Sequence, residues 1–422
     1  MRLLTSAISA LAVRAVATAF GFTVTFLIAH RLGAEANGQY ALVTQTGMLL
    51  AVLALGGIDL SSIRFLTPAS DGKGHLTVSI LGRLVLFILS TTSAIGLLFW
   101  LGGSRLWDTL FGGVIPIEWG ALLVLVIVVR SSERLVSAVL RSQRRFLLGQ
   151  CLETLFVPTA LAFVMIFGWY NEVNALLIIN IVVAASATLV GLFFCLRLAL
   201  APGEKEEPAI GAMIKSGLPL LGVGLTLVFA EWFALAVAAT SFGAAEAGQM
   251  RIAWQVSGSL TLILAALNSV FAPKLAAAHK AGDREALGHL CRSITKMTLG
   301  LAIPAALLIV LLVKPLLAIV NEETLGAVPV VHVLVISQLT IVLMSNVGTL
   351  LAVTGHEKIS LRNALVGTVL LVAFGWTMAQ FWGLIGLAVG VTIATLWRNI
   401  AGTYAVIKYL RLNPFTGRLL DV

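Results

Sequence analysis

Long apolar runs follow one another along the whole chain. A helix needs about 20 apolar residues to cross the hydrocarbon core of a bilayer. Stretches of that kind fall at 5–29, 39–60, 76–101, 119–140, 150–168, 174–198, 215–240, 247–271, 293–313, 328–352, 359–381 and 383–407. Inside them the pattern is continuous rather than alternating: Leu122 to Val129 and Leu307 to Val313 contain no polar residue. Strands of a membrane barrel would be short and alternate in polarity, and only helices satisfy their own backbone hydrogen bonds within lipid. The pattern predicts an all-α polytopic membrane protein with about twelve transmembrane helices.

The order of these spans is written twice. Leu32-Gly-Ala-Glu-Ala-Asn-Gly-Gln-Tyr-Ala-Leu-Val-Thr-Gln45 matches Phe242-Gly-Ala-Ala-Glu-Ala-Gly-Gln-Met-Arg-Ile-Ala-Trp-Gln255, with Gly33/Gly243, Ala34/Ala244, Gly38/Gly248, Gln39/Gln249 and Gln45/Gln255 aligned at an offset of 210. Leu196-Arg197-Leu198 recurs as Leu410-Arg411-Leu412 at 214, and Arg145 stands against Lys358 at 213. Between the copies lies a charged, proline-bearing segment with Pro202, Glu204-Lys-Glu-Glu207 and Pro208, which reads as a linker. The expected organisation is a six-helix lobe over 1–200, a cytoplasmic linker over 201–213 and a second pseudo-symmetric six-helix lobe over 214–422. An even number of spans per copy makes both halves enter from the same side. The pseudo-twofold axis then runs along the membrane normal, as in parallel-repeat transporters.

Composition supports this reading. Hydrophobic residues make up 59% and charged residues 11% of the 422, and mean hydropathy is +1.02; a soluble domain carries about 25% charged residues. The net charge of +9 matters through its placement. Of 28 basic residues, 20 fall on the termini and the even-numbered loops. Positive-inside bias therefore places both termini in the cytoplasm of a cell whose inner membrane holds the protein, and no nucleic-acid partner is needed to explain the charge. Arg2 and the following apolar run resemble a signal peptide only superficially: the run is long and contains Arg14, so it reads as a retained first helix. Cys151, Cys195 and Cys291 show neither metal spacing nor a disulfide framework. No phosphate loop or metalloprotease motif occurs, and the longest outer loop, about 102–118, is short. An enzyme active site is hard to place, and no cofactor is expected.

The charges within the spans carry the candidate chemistry. Arg14, Arg130, Arg134 and Arg398 lie inside apolar stretches, where each costs about 2.5–3.5 kcal/mol unless it meets water or a partner. Arg130, Arg134, Ser137 and Arg141 stand at i, i+4, i+7 and i+11, one face of a helix. Guanidinium groups bind phosphate oxygens in a bidentate fork, so the stripe fits an anionic head group. The alternative is that Arg130 pairs with Glu133 while Arg134 and Arg141 snorkel to the interface. Four acids lie in or at spans: Asp59, Glu133, Glu153 and Glu231. Glu231 is deep enough to be an arginine partner or a coupling-ion site, and Asp59, nearer a span end, is a second candidate for ion coupling. Pro158, Pro219, Pro273 and Pro304 mark kinks or tolerated packing features.

Arg31-Leu-Gly-Ala-Glu-Ala-Asn-Gly-Gln-Tyr-Ala-Leu42, then Gly56-Gly57-Ile58-Asp59 and Arg64, and in the second half Phe242-Gly243, Pro273-Lys274 and Ala281-Gly282-Asp283, resemble the polysaccharide-export branch of the multidrug/oligosaccharidyl-lipid/polysaccharide flippase superfamily. The resemblance covers essentially the whole chain in span count, repeat and loop placement. It implies two six-helix lobes in a V and alternating access. It also implies a lipid-linked oligosaccharide, usually on undecaprenyl diphosphate, moved between leaflets for polysaccharide or lipopolysaccharide biosynthesis. Arg14, Arg130, Arg134, Arg141 and Arg398 would then neutralise the diphosphate, with Ser137 as a further contact to the head group and membrane lipids and a polysaccharide polymerase or export machinery as partners. The drug-efflux branch commonly has an acid in the first helix, where this chain has Arg14; Glu231 keeps a cation-coupled multidrug or metabolite antiporter in play. A non-transporting scaffold of a glycan-synthesis complex is the third alternative.

Topology is open to test by cysteine labelling. Gly112→Cys is expected to react with a membrane-impermeant thiol reagent added outside intact cells and Ser142→Cys is not; the reverse pattern overturns the charge argument.

Overall fold

The computed structural model describes residues 2–68, 75–170, 172–202 and 207–418, and its regular elements are helices throughout. In chain order they are α1 (Arg2–Leu55), α2 (Ile58–Phe65), α3 (Val78–Phe111), α4 (Gly120–Ser142), α5 (Phe146–Gln150), α6 (Phe156–Phe167), α7 (Val173–Ala199), α8 (Ile210–Phe242), α9 (Ala244–Gly258), α10 (Thr261–Lys280), α11 (Arg284–Val320), α12 (Ala327–Leu343), α13 (Ser345–Val353) and α14 (Glu357–Leu410). Among the described residues nine helical stretches are long and apolar enough to cross a membrane. Two of these are double. α1 is broken at Gly33 and α14 at Trp382 and Gly383 by non-helical backbone. α4 is not among the nine because Arg130, Glu133 and Arg134 fall close together in it. With α4 added and the broken helices counted as pairs, the helices answer one for one to the twelve apolar stretches.

The boundaries differ from the sequence reading in instructive ways. α11 runs for 37 residues, about 55 Å at 1.5 Å per residue, well beyond its apolar stretch. The stretch at 247–271 turns at Ser259 between α9 and α10, and that at 328–352 turns at Met344 between α12 and α13. Within the linker, Gly203 to Glu206 lie outside the described residues, as does the basic residue Lys73.

Two compact units emerge. One is Val16–Gly248; the other combines Met1–Ala15 with Gln249–Val422. The first packs Leu55, Leu76, Ile80, Val136, Val139, Leu140 and Cys195 into a core at one end of its helices. The second packs Leu287, Cys291, Val347, Leu350, Leu351 and Val406 in the same way. These cores correspond at a constant offset of 211: Leu76/Leu287, Ile80/Cys291, Val136/Val347, Val139/Leu350, Leu140/Leu351 and Cys195/Val406. The chain leaves α4 and α13 by the same turn. Arg145 N–H donates to the Leu140 carbonyl and His356 N–H to that of Leu351, both at 2.9 Å. Arg144 (φ 61°) and Gly355 (φ 77°) occupy the left-handed position in that turn. Arg145 therefore corresponds to His356 and Arg197 to Lys408, which corrects the offsets of 213 and 214 read from sequence.

The glycine motif is repeated in structure at offset 210. Gly33 (φ 91°, ψ 171°) and Gly243 (φ 124°, ψ 175°) share a conformation that an L side chain rarely adopts. Gln39 Nε2 donates to the Val114 carbonyl at 3.3 Å, and Gln249 Nε2 to that of Glu323 at 2.9 Å. Within the first unit the motif also meets its own copy. A Cβ on Gly38 would collide with the Ala244 carbonyl, and one on Gly248 with the Ala34 carbonyl. Asn37 Nδ2 seals the crossing by donating to the Gly248 carbonyl at 3.2 Å. Small residues four apart are the usual means of bringing membrane helices this close.

Two consequences follow for experiment. Ser142 is buried and Gly112 is crowded by Thr240, so the labelling contrast is better made at the exposed Glu118 and Arg144. Gly38→Ala is expected to destabilise the protein by about 1–3 kcal/mol, the range for overpacking, whereas Gly82→Ala, with open space around it, is expected to be neutral or slightly stabilising. Thermal unfolding in detergent distinguishes them.

Candidate functional site

The arginine stripe of α4 faces a matching set of acids, all within the Val16–Gly248 unit. Arg130 Nη1 lies 2.8 Å from Glu133 Oε2 on its own helix. Arg134 Nη2 lies 2.9 Å from Asp59 Oδ2, and its Nη1 lies 4.0 Å from Glu153 Oε1. Arg141 Nη2 lies 2.8 Å from Glu153 Oε2, which also accepts from Ser137 Oγ at 2.7 Å. At the other end Arg130 Nη2 donates to Asn180 Oδ1 at 3.3 Å, and Asn180 Nδ2 donates to the Tyr40 hydroxyl at 2.6 Å. Three guanidiniums and three carboxylates thus alternate over about 16 Å of helix. Glu133 is 2% exposed and Arg130 19%. Glu133 Oε1, Arg134 Nε and Arg141 Nε are buried without a hydrogen-bond partner.

Local backbone features deliver the acids. Gly56 and Gly57 both have positive φ, 57° and 80°, and turn the chain from α1 into α2. No side chain fits at Gly57, because a Cβ there would collide with the Gly217 carbonyl. Asp59 lies in the first turn of α2, where unsatisfied N–H groups favour a carboxylate. Glu153 is carried by a π turn, Cys151–Leu155, between α5 and α6. Pro158 follows it, with no N–H to give and a ring that would press on the Thr154 carbonyl in a regular helix; the wider turn relieves both. Such turns commonly mark functional positions.

Glu231, on α8 of the same unit, has different neighbours: its Oε1 accepts from Gln45 Nε2 at 2.8 Å, and the adjacent Trp232 Nε1 donates to Thr46 Oγ1 at 3.0 Å. Arg14 and Arg398 belong to the other unit. Arg14 is exposed and Arg398 half-buried, with its Cβ beside Gly367.

Arg130, Arg134, Ser137, Arg141 and Asp59 therefore share one network. Two expectations change. The stripe is not a row of uncompensated cations, because each guanidinium has a carboxylate; an anion binding here displaces one. Asp59, read from sequence as a candidate for ion coupling, is the partner of Arg134, and Glu153, given no role there, is the partner of Arg141. Asn180, Tyr40 and Gln45 were not singled out for this chemistry. Asn180 is an isolated polar residue in an apolar helix, and Tyr40 and Gln45 lie within the repeated glycine motif, which marks packing rather than this chemistry.

The fold is that of the MATE transporters. Residues 219–377 match the family model described as MatE. A multidrug resistance MATE family transporter of the MOP superfamily, solved in an inward-facing conformation, is 15% identical over 94% of this chain and 96% of that one, with a TM-score of 0.67. The MATE multidrug transporter DinF-BH, solved as a complex, is 17% identical over 98% and 96%, with a TM-score of 0.65. The Vibrio cholerae MATE transporter VcmN in its bent form is 16% identical over 97% and 98%, with a TM-score of 0.57. No curated protein matches the chain in sequence.

The ladder makes a thermodynamic prediction. Removing one member of a buried pair strands a charge and typically costs about 3–5 kcal/mol, whereas replacing both with apolar groups is near neutral. Arg130→Met alone is expected to destabilise by about 3 kcal/mol, and Arg130→Met with Glu133→Leu by less than about 1 kcal/mol. Unfolding midpoints of the two variants check this.

Proposed function

We propose that the chain is a secondary transporter that works by alternating access and couples export of an organic solute to the entry of a cation. The observation that carries the reading is the balance of the buried network: three carboxylates stand against three guanidiniums, so a cation or proton taken up by an acid changes the net charge of the interior. Glu231, held by Gln45, supplies a fourth carboxylate outside that network, and such groups mark ion pathways. The MATE fold, shared with multidrug transporters, supports the same reading. On this reading the protein lies in the inner membrane with both ends cytoplasmic and six-helix lobes over 1–200 and 214–422, as the distribution of its basic residues and its sequence repeat suggest.

A second reading is favoured by one specific feature. No acid precedes Glu35, and the first helix carries Arg14 instead, with Arg398 as a further intramembrane arginine. That distribution suits a flippase for a lipid-linked oligosaccharide on a diphosphate carrier, acting beside a polysaccharide polymerase or export machinery.

Proteoliposomes separate the two. Glu231→Gln keeps a hydrogen-bonding side chain opposite Gln45 and removes the charge. On the first reading it is expected to abolish efflux of a lipophilic cationic dye driven by an imposed proton or sodium gradient. Unchanged gradient-driven efflux in the variant, or none in the wild type, overturns that reading. Transfer of an undecaprenyl-diphosphate glycan between leaflets, lost in Arg14→Ala or Arg398→Ala, supports the second.

A further inference from the structure

Where α4, α5 and the last turn of α7 meet, Leu140, Arg145, Leu148, Phe194, Arg197 and Leu198 line a pocket of about 350 Å³. We infer that this pocket binds the phosphate of an anionic phospholipid, with the acyl chains lying against its apolar walls. Both guanidiniums belong to exposed residues, and among the described residues neither is in an ion pair; the arginines of α4 deeper in the unit, by contrast, are neutralised by acids. Two guanidiniums around one cavity fit the oxygens of a phosphate. Among the described residues no carboxylate lines the pocket to receive the ammonium of a zwitterionic lipid. A soluble phosphate ion has no use for the other four walls, which are apolar. Phe146, Leu147, Phe193 and Leu200, each within two positions of a lining residue, are 55%, 42%, 59% and 72% exposed. Side chains of this kind are at home against lipid tails. Basic pockets between membrane helices near the surface are a recurring means of holding anionic head groups.

The other unit provides an internal control. At offset 211 Arg145 and Arg197 become His356 and Lys408, and Leu198 becomes Tyr409. There the His356 ring lies 5.4 Å from that of Tyr409, and Lys408 Nζ stands 5.6 Å from the Tyr409 ring centre and 5.9 Å from that of Tyr404. The equivalent side chains, His356 and Lys408, both lie against aromatic rings, and no arginine stands at either position. The paired-arginine pocket is a property of one copy of the repeat, not of every basic helix end, which distinguishes it from a general topology signal.

Native mass spectrometry of the purified full chain, titrated separately with phosphatidylglycerol, phosphatidylcholine and inorganic phosphate, tests this. Phosphatidylglycerol is expected to bind at least about tenfold more tightly than phosphatidylcholine. Arg145→Ala and Arg197→Ala are each expected to weaken it about fivefold, the scale of one basic residue at an anionic surface. Arg145→Lys should recover part of the loss, because charge is kept and the fork is not. Arg144→Ala removes an equal charge from a neighbouring exposed residue outside the pocket and is expected to leave binding unchanged. Equal loss in Arg144→Ala reduces the effect to overall charge and overturns the site. Equal binding of phosphatidylcholine, or displacement of the lipid by millimolar inorganic phosphate, overturns the ligand. The substituted side chains are exposed, so size-exclusion profiles should match the wild type.

Discussion

A charge taken out of water must bring its partner with it, and this constraint organises the first unit. Three arginines on one helix face would cost roughly 8–10 kcal/mol if stranded in the bilayer, at the 2.5–3.5 kcal/mol that insertion scales give for each. α4 carries one counter-charge itself, Glu133. It obtains the others from α2 and from the π turn before α6. Asn180 and Tyr40 extend the same network into α7 and α1. Four elements are thereby fixed around α4 by directional bonds, in a medium where apolar packing alone provides little preference for one neighbour over another.

Close backbone approach is the second constraint, and it is what makes those bonds geometrically available. Gly57 against Gly217 brings α8 onto the start of α2, beside the turn that presents Asp59. Gly191 leaves room for the Val136 side chain where α7 crosses α4, and Gly402 does the same for Val347 where α14 crosses α13. This last pair recurs at the offset of the two hydrophobic cores. Duplication has thus preserved the small residues at helix crossings and the buried apolar positions. The polar stripe has diverged: Val347 inherits the packing of Val136, while Arg130, Arg134, Ser137 and Arg141 become Ile341, Ser345, Gly348 and Ala352 at the same offset.

The parts legible in sequence were those with a period or a length. The twelve apolar runs became helical because lipid leaves the backbone no other solution. The Gly33 and Gly243 motifs were visible because a left-handed backbone and a tight crossing tolerate almost nothing but glycine. Repeat phase away from those motifs was not legible, since Leu76/Leu287 or Cys195/Val406 exchange one apolar residue for another without any marker. Matching Arg145 to Lys358 by charge chose the wrong phase; the left-handed residue of the turn, Arg144 in one copy and Gly355 in the other, sets it. The Arg130–Glu133 pair could be read as a helical neighbour at i+3. The roles of Asp59 and Glu153 could not, because each depends on a backbone irregularity, the double-glycine turn or the π turn, that carries the side chain into the network.

A neutral ladder responds to ligands differently from a charged one. Protonating any of its carboxylates leaves a guanidinium in excess, and that excess is costly for the same reason that an unpaired arginine is costly in lipid. It can be relieved by water, by movement of the helix that carried the acid, or by a new anion. Proton uptake and anion binding at such a network favour one another, and by linkage each strengthens the other by the same factor. The two transport readings are therefore less opposed than their substrates suggest. A carboxylate that takes up a cation releases an arginine, and a released guanidinium is free to pair with an anion. What separates a cation-coupled exporter from a carrier-lipid flippase on this fold is which of those events comes from the coupling ion and which from the cargo.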